Sequence, residues 1–351
     1  MTELLRVARA SQAAFAAGES AILATVIRVG GSTYRRPGAR MLLTEKGWVA
    51  GSISGGCLET DVLQKAWWRT ESGPTRVVYD STQEDEDIEW GFGLGCNGVV
   101  EVLLERLNET TVAHLARLEY WQTDRTLGVL ATTGEGKRLA LEPSGQFWGE
   151  KSLLAGAQEA LDSEKSFWRD ETFYELVTPP QRLVVYGAGH DVVPLVKIAT
   201  ELLGWHVIVV DSRSLTLHPE RFPGARIVQS FPISNLEPTD AVVLMTHSFR
   251  TDQELLPALL ASRVGYLGLL GPRRRTERLL ENPRLLENPL SDLPLPWDRE
   301  GGRGDGFRAP LGLDIGADNP QEIALALVAE IRAWSAGRSG GPLTLREGPI
   351  H

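Results

Sequence analysis

Apolar residues recur at helical spacing over residues 3–17 and give way to "AILATVIRV" (21–29), a β-branched run that predicts a strand. Glycines and a proline make "GGSTYRRPG" (30–38) a loop. "ARMLLT" and "WVAGSI" read as strands around the turn Glu45-Lys46-Gly47. Residues 57–70 follow as a helix, 76–80 and 98–107 as strands, and 111–121 as a helix. A hairpin at 127–132 and 137–141 and a helix at 151–163 complete a mixed α/β domain over residues 1–177. The pattern fixes no strand order for it.

The period changes near residues 178–182. "TPPQRLVVYGAGHDVVPLVKIATELLGWHVIVVDSR" runs linker, strand, glycine turn, helix, strand. Such alternation predicts a parallel sheet with crossover helices, here a Rossmann-like domain over residues 178–337. "DAVVLMTH" (240–247) and "RVGYLGLLG" (263–271) read as later strands of that sheet. Residues 281–310 hold five prolines and four glycines without periodicity, so a loop insertion is expected. Asn319 is placed to cap, and Pro320 to open, an amphipathic helix over 319–334. Residues 338–351 are expected to form a disordered tail.

Two groups of residues carry candidate chemistry. In "VVYGAGHDV" the first two glycines of a dinucleotide fingerprint are Gly187 and Gly189, with Val192 at the third position. Asp211 ends the next strand, 22 residues after Gly189, where an acid binds a ribose hydroxyl. His190 lies inside the turn and His247 ends a later strand, positions open to the same ligand or to plain loop capping. Arg273, Arg274 and Arg275 in "GPRRR" are placed to clamp a phosphate or to face solvent.

The second group surrounds the only two cysteines. Cys57 follows Gly55 and Gly56 in "GSISGGCLET", where a helix begins and its dipole favours a thiolate. Glu59 and Asp61 oppose that thiolate by like charge. Cys96 follows Gly95 in "WGFGLGCNG". Two thiols in glycine loops suit a soft, sulfur-bound metal, although their spacing matches no zinc pattern, and free cysteines also serve as small core residues. Arg35, Arg36 and Arg40 in "GGSTYRRPGARM" could hold an anion.

Taken together, "VIRVGGSTYRRPGARMLL", "GSISGGCLE", "WGFGLGCNGVVEVLLE", "VVYGAGHDVVPL", "VVLMTHSFRTDQELL", "YLGLLGPRRR" and "PLGLDIGADNPQEIALAL" resemble the xanthine dehydrogenase accessory factor family, XdhC/CoxI. The resemblance runs from about residue 20 to 335. It implies a molybdenum cofactor (molybdopterin) chaperone that protects the cofactor, presents it for sulfuration by a cysteine desulfurase, and assists insertion into a molybdenum hydroxylase such as xanthine dehydrogenase. It places Cys57 and Cys96 near the metal or its terminal sulfur. Asn97 stands where the family carries glycine, and Pro272 stands where it carries serine.

Bulk properties narrow the alternatives. The 351-residue chain has net charge −10, which disfavours a nucleic-acid partner, and no run approaches the roughly 18 apolar residues of a membrane span. Two cysteines fit a reducing compartment, so a cytoplasmic protein is expected. A homodimer is expected, since a second copy of the chain would help shield a labile ligand. An NAD(P)-dependent oxidoreductase is the alternative function, and a thiol redox protein is a third.

Overall fold

The computed structural model describes residues 2–81, 98–213, 217–262, 264–281 and 306–346. The chain divides into two compact units, Thr2–Pro179 and Pro180–His351.

The first unit opens with α1 (Glu3–Ala16), whose N-cap Thr2 accepts a hydrogen bond from the Leu5 amide. Two antiparallel sheets follow. The first comprises β1 (Ala21–Gly31), β2 (Arg40–Thr44), β3 (Gly47–Gly51), β4 (Thr75–Asp80) and β5 (Gly98–Arg106), in the order β3-β2-β1-β5-β4. The second comprises β6 (Gly128–Thr133), β7 (Arg138–Leu141), β8 (Phe147–Gly149), β9 (Phe167–Arg169) and β10 (Thr172–Val177), in the order β8-β7-β6-β10-β9. Helices α2 (Cys57–Arg69), α3 (Glu109–Asp124) and α4 (Leu154–Ser163) cover them. One apolar cluster joins α2 to β1, β2 and β5 through Leu58, Val62, Ala24 and Met41. A second joins α1 and α3 to both sheets through Val7, Leu118, Trp121 and Leu130. Covered on both faces, residues Ala21 to Ile27 of β1 are all buried, which explains why that stretch reads as a continuous apolar run.

Two buried ion pairs tie the sheets together. Arg40 of β2 grips both carboxylate oxygens of Glu175 on β10, and Arg138 of β7 pairs with Glu105 on β5. His114 of α3 is buried and held neutral. Burial pushes its pKa well below the ordinary value, and the positive charges of Arg138 and Arg40 push it further.

The second unit has a six-stranded sheet of β11 (Arg182–Tyr186), β12 (His206–Val210), β13 (Arg226–Val228), β14 (Ala241–Leu244), β15 (Tyr266–Leu269) and β16 (Phe307–Arg308). Every neighbouring pair is parallel, and the order is β13-β12-β11-β14-β15-β16. This is the doubly wound Rossmann arrangement, with its order reversing between β11 and β14. Helices α5 (Val192–Lys197) and α8 (Pro320–Ser335) bury one face of the sheet. Helices α6 (Phe249–Leu260) and α7 (Arg273–Leu280) bury the other. Asn319 caps α8 by accepting from the Gln321 and Glu322 amides, with Pro320 opening the helix.

The fold class stands as expected from sequence, with differences in detail. β10 escapes the apolar-pattern reading because Thr172 and Glu175 are buried polar positions, Thr172 bonded to the Asp170 carbonyl and Glu175 to the distant Arg40. β8, β9, β13 and β16 have two or three residues each, too few to show a period. β16 also places ordered pairing inside the stretch expected to be loop through residue 310. Leu343–Leu345 forms a 3₁₀ turn within the expected tail.

Removing one member of a buried ion pair strands the other charge. Glu105→Ala is therefore expected to lower the urea-unfolding free energy by about 3–5 kcal/mol, with Arg138→Met/Glu105→Leu recovering most of the loss. His114 gives a separate signature. Below about pH 6.5 the unfolded chain binds a proton that the folded chain refuses, so stability falls with acid by up to about 1.4 kcal/mol per pH unit. His114→Leu should flatten that slope in unfolding curves measured from pH 7 to 5.

Candidate functional site

The cysteine loop is built from backbone. β3 ends at Gly51, whose positive φ and contact with the Arg40 carbonyl admit no side chain; a Cβ there would stand 2.0 Å from that oxygen. Ser52–Gly56 then turn into α2, with Gly56 as N-cap at φ 121° and Cys57 as the first helical residue. Cys57 is a free, exposed thiol, which removes the alternative of a core cysteine.

One carboxylate shapes this loop. Glu59, third in α2 and only 2% exposed, accepts hydrogen bonds from the amides of Ile53 (3.0 Å), Ser54 (2.7 Å) and Gly56 (3.0 Å) and from the Ser54 hydroxyl. The Ser54 oxygen in turn accepts from the Gly56 and Leu58 amides, each at 3.1 Å. Burial pushes the Glu59 carboxyl up, but the hydrogen bonds from Ser54 and Ile53 prevail and hold it below the usual range. Asp61 is similarly engaged, by Lys65, Arg69 and the Tyr79 hydroxyl. Both acids near the thiol thus have their charge met by internal partners.

A second loop lies against the first. The Tyr34 ring packs on Gly55, with ring carbons 3.7 Å from the place a Cβ would occupy, and the side chain remains 67% exposed. Its neighbour Arg35 is spent on Glu3, which also accepts from the Ser52 amide at 3.3 Å. Arg40 is buried in the inter-sheet pair, so it is not available to an anion. Arg36 is exposed. Gly98 abuts the same loop, since a Cβ there would meet the Ser32 carbonyl at 2.3 Å. Ser81 brackets Gly98 with hydrogen bonds to both its amide and its carbonyl. Cys96 and Gly95, on which the expected convergence of two thiols depends, lie outside the described residues. No group of three metal-ligating side chains occurs among the described residues.

In the second unit the expected residues gather at the carboxyl ends of β11, β12 and β14. Gly187 takes φ 119° where a Cβ would strike the Met245 carbonyl at 2.1 Å. Val192, at the third fingerprint position, opens α5 and is fully buried in the core. Asp211 accepts from the Ala188 amide at 3.0 Å and is gripped by both the backbone and the guanidinium of Arg213. Burial raises the Asp211 carboxyl, and the Arg213 contacts overcome that and lower it. His247 sits in left-handed backbone (φ 54°) with its Nε2 2.8 Å from Asp191 in the glycine turn. His190 is exposed.

The arginines after β15 divide differently from expectation. Arg273 pairs with Glu277 along α7, and Arg274 is exposed. Arg275 reaches back to Asp252, which also accepts from the Thr246 hydroxyl beside His247. Arg275, expected to clamp a phosphate or face solvent, is instead spent on Asp252, while Asp191, Asp252, Thr246, Tyr34 and Ser54 carry no mark in the sequence pattern. The one available signal is Glu59 three residues after Gly56, the spacing of a capping box.

The architecture thus defines a two-unit α/β protein: an exposed cysteine at a helix start in one unit, a Rossmann sheet in the other. The chain belongs to the XdhC and CoxI family. Residues 14–80 match the XdhC and CoxI family and residues 183–331 match the XdhC Rossmann domain. It is 34% identical over 326 residues to a probable subunit of xanthine dehydrogenase from Bacillus subtilis (strain 168), covering 89% of this chain and 92% of the relative. It is 26% identical over 327 residues to the molybdenum cofactor insertion chaperone PaoD of Escherichia coli (strain K12), covering 91% and 84%. A crystal structure of a xanthine dehydrogenase from Bacillus halodurans superposes with a TM-score of 0.76 at 31% identity, covering 98% of this chain and 99% of that one.

Because the Glu59 carboxyl titrates below its unfolded value, its hold on the loop is complete above about pH 4.3 and is lost as pH falls through the lower folded value. Glu59→Ala should lower hydrogen-exchange protection of the Ile53, Ser54 and Gly56 amides at least ~10-fold at neutral pH, equivalent to about 1.4 kcal/mol of local opening. The wild type should show the same loss only in acid.

Proposed function

We propose that this protein is an accessory factor for a xanthine dehydrogenase-type molybdenum enzyme. It carries the molybdenum cofactor as cargo and delivers it to that client. Family membership and full-length similarity to PaoD support the accessory role. The observation that carries the cargo reading is the exposed Cys57 thiol on a loop whose shape is fixed by the buried Glu59.

The chemistry is matched part by part. A molybdopterin offers a soft metal–sulfur centre, a flat polar pterin and a phosphate. Cys57 supplies an exposed soft ligand at a helix start. Tyr34, exposed and seated on Gly55, supplies a flat surface for a ring. Arg36 supplies a cation on the same loop as Tyr34. Cys96 joins this set as the second soft ligand in the proposal. Sulfuration of the cargo by a cysteine desulfurase, a homodimeric carrier and a cytoplasmic setting belong to the same reading. No helix among the described residues is long and apolar enough to cross a membrane.

The test is retention of cargo. Purified full-length protein mixed with molybdenum cofactor should co-elute from gel filtration with molybdenum and pterin in equal amounts. Cys57→Ser should weaken retention at least ~10-fold, about 1.4 kcal/mol, with an unchanged melting temperature. Absence of molybdenum from the wild-type peak would sink the cargo reading. Light scattering on the same peak reports whether the carrier is a dimer.

A further inference from the structure

The sheet order and glycine turn of the second unit imply a dinucleotide, and the described residues can be tested for its fit. Two contacts define such a site. The pyrophosphate sits over the second fingerprint glycine at the start of the following helix, and the ribose hydroxyls bind the acid ending the second strand.

In this chain both positions are used internally. A carboxylate oxygen of Asp191 stands 2.4 Å from where a Cβ on Gly189 would lie, so the space that glycine leaves bare holds an anion. The other oxygen meets His247 Nε2 at 2.8 Å, and His247 is itself within 3.5 Å of the same spot. His247 adopts left-handed backbone to stand there, an arrangement uncommon for a residue with a side chain. The Asp191 side chain could swing aside only by giving up this partner, and its charge would stay in the turn. At the second position, Asp211 has its two oxygens engaged by Arg213 through Nε at 2.9 Å and Nη2 at 2.7 Å, and by the Ala188 amide. The buried Val192 completes the departure, since the third glycine normally lets helix and strand pack closely.

We infer that the Rossmann crevice of this protein excludes a nicotinamide dinucleotide: the His247-held Asp191 carboxylate fills the pyrophosphate position, and Arg213 closes Asp211 to the ribose. The inference concerns the second unit alone and does not rest on the cargo reading. It separates this chain from oxidoreductases that share its sheet order.

Titration of the full-length protein with NADH and NADPH, followed by nicotinamide fluorescence, tests it. Wild type should show no saturation up to about 1 mM. Asp191→Ser/Arg213→Gln should gain saturable binding of at least one of the two, at least ~10-fold tighter than wild type. Asp191→Ser alone leaves a residue suited to the N-cap of α5, where Asp191 makes no side-chain cap bond, and should gain part of that increase. Circular dichroism and thermal melts establish which variants are folded, and the single variant decides if the double one is not. Micromolar saturation of the wild type would overturn the inference. So would folded variants that bind no better than wild type, because the exclusion would then lie elsewhere.

Discussion

The cysteine site depends on one buried carboxylate. Among Ser52 to Gly56 only Ile53 is fully buried, so packing anchors one point of the loop and something else must hold the rest in a single shape. Glu59 does so by polar means, drawing three amides and a hydroxyl onto one group. A carboxylate is well suited to this task. Accepting several N–H bonds compensates its desolvation, and the bonds satisfy the Gly56 donor at the helix start together with two loop amides before it. The consequence for chemistry is indirect but large. Cys57, two residues before Glu59, receives a defined backbone without any atom of the holding group reaching solvent to a significant extent. A rigid frame under an exposed thiol lets a site discriminate by geometry rather than by adapting to whatever approaches.

The same device recurs through the molecule. Glu175 and Glu105 each take an arginine from the facing sheet. In the second unit, Asp240 holds Arg182 at the entry to β11, Asp252 joins Thr246 to Arg275, and Asp211 holds Arg213. A net charge of −10 could have been read as acid spread over the surface. Instead, many of the acids near functional loops are buried or half-buried and serve as internal organisers. Single carboxylates fix irregular backbone in both units, so the loops that sequence marks as glycine-rich are ordered by residues lying just beyond them.

This explains what was legible in the sequence. Strong periodicity and well-signed helix ends gave α1, β1, α2, α8 and the β11–α5–β12 run, because local propensity and burial agree there. The glycine turn with its terminal acid marked the second unit as Rossmann-like, and its parallel sheet followed from alternation. β10 did not, because Glu175 occupies a buried position on account of Arg40, a residue 135 positions away. The glycines of both loops were visible as special backbone positions, and the structure gives Gly51, Gly56 and Gly187 positive φ as such positions require. Their partners were harder to see. Tyr34 and Gly55 meet only through tertiary folding, and Asp191 with His247 are brought together by neighbouring strands 56 residues apart. Arg35 and Arg40, legible as cations, are spent on Glu3 and Glu175. Sequence reveals a charge far more readily than whether that charge is already paired.

That distinction separates fold from function in the second unit. A fingerprint with a glycine turn, a helix and a terminal acid is a statement about backbone path, and the path here is the expected one. Recognition of a ligand needs the acceptors and donors at the end of that path to be unengaged. Asp211 is paired with Arg213, and the bare face of Gly189 is covered by Asp191. On the inference drawn above, two side chains that leave every strand and helix unchanged are enough to occupy the contacts a dinucleotide would need. The sheet then acts as a scaffold, and the exposed, chemically distinct group of the described chain remains the Cys57 thiol of the other unit. On the proposed reading, an accessory protein with a metal cofactor as cargo would benefit from that division, because a scaffold that binds no redox cofactor cannot pass electrons to that cargo.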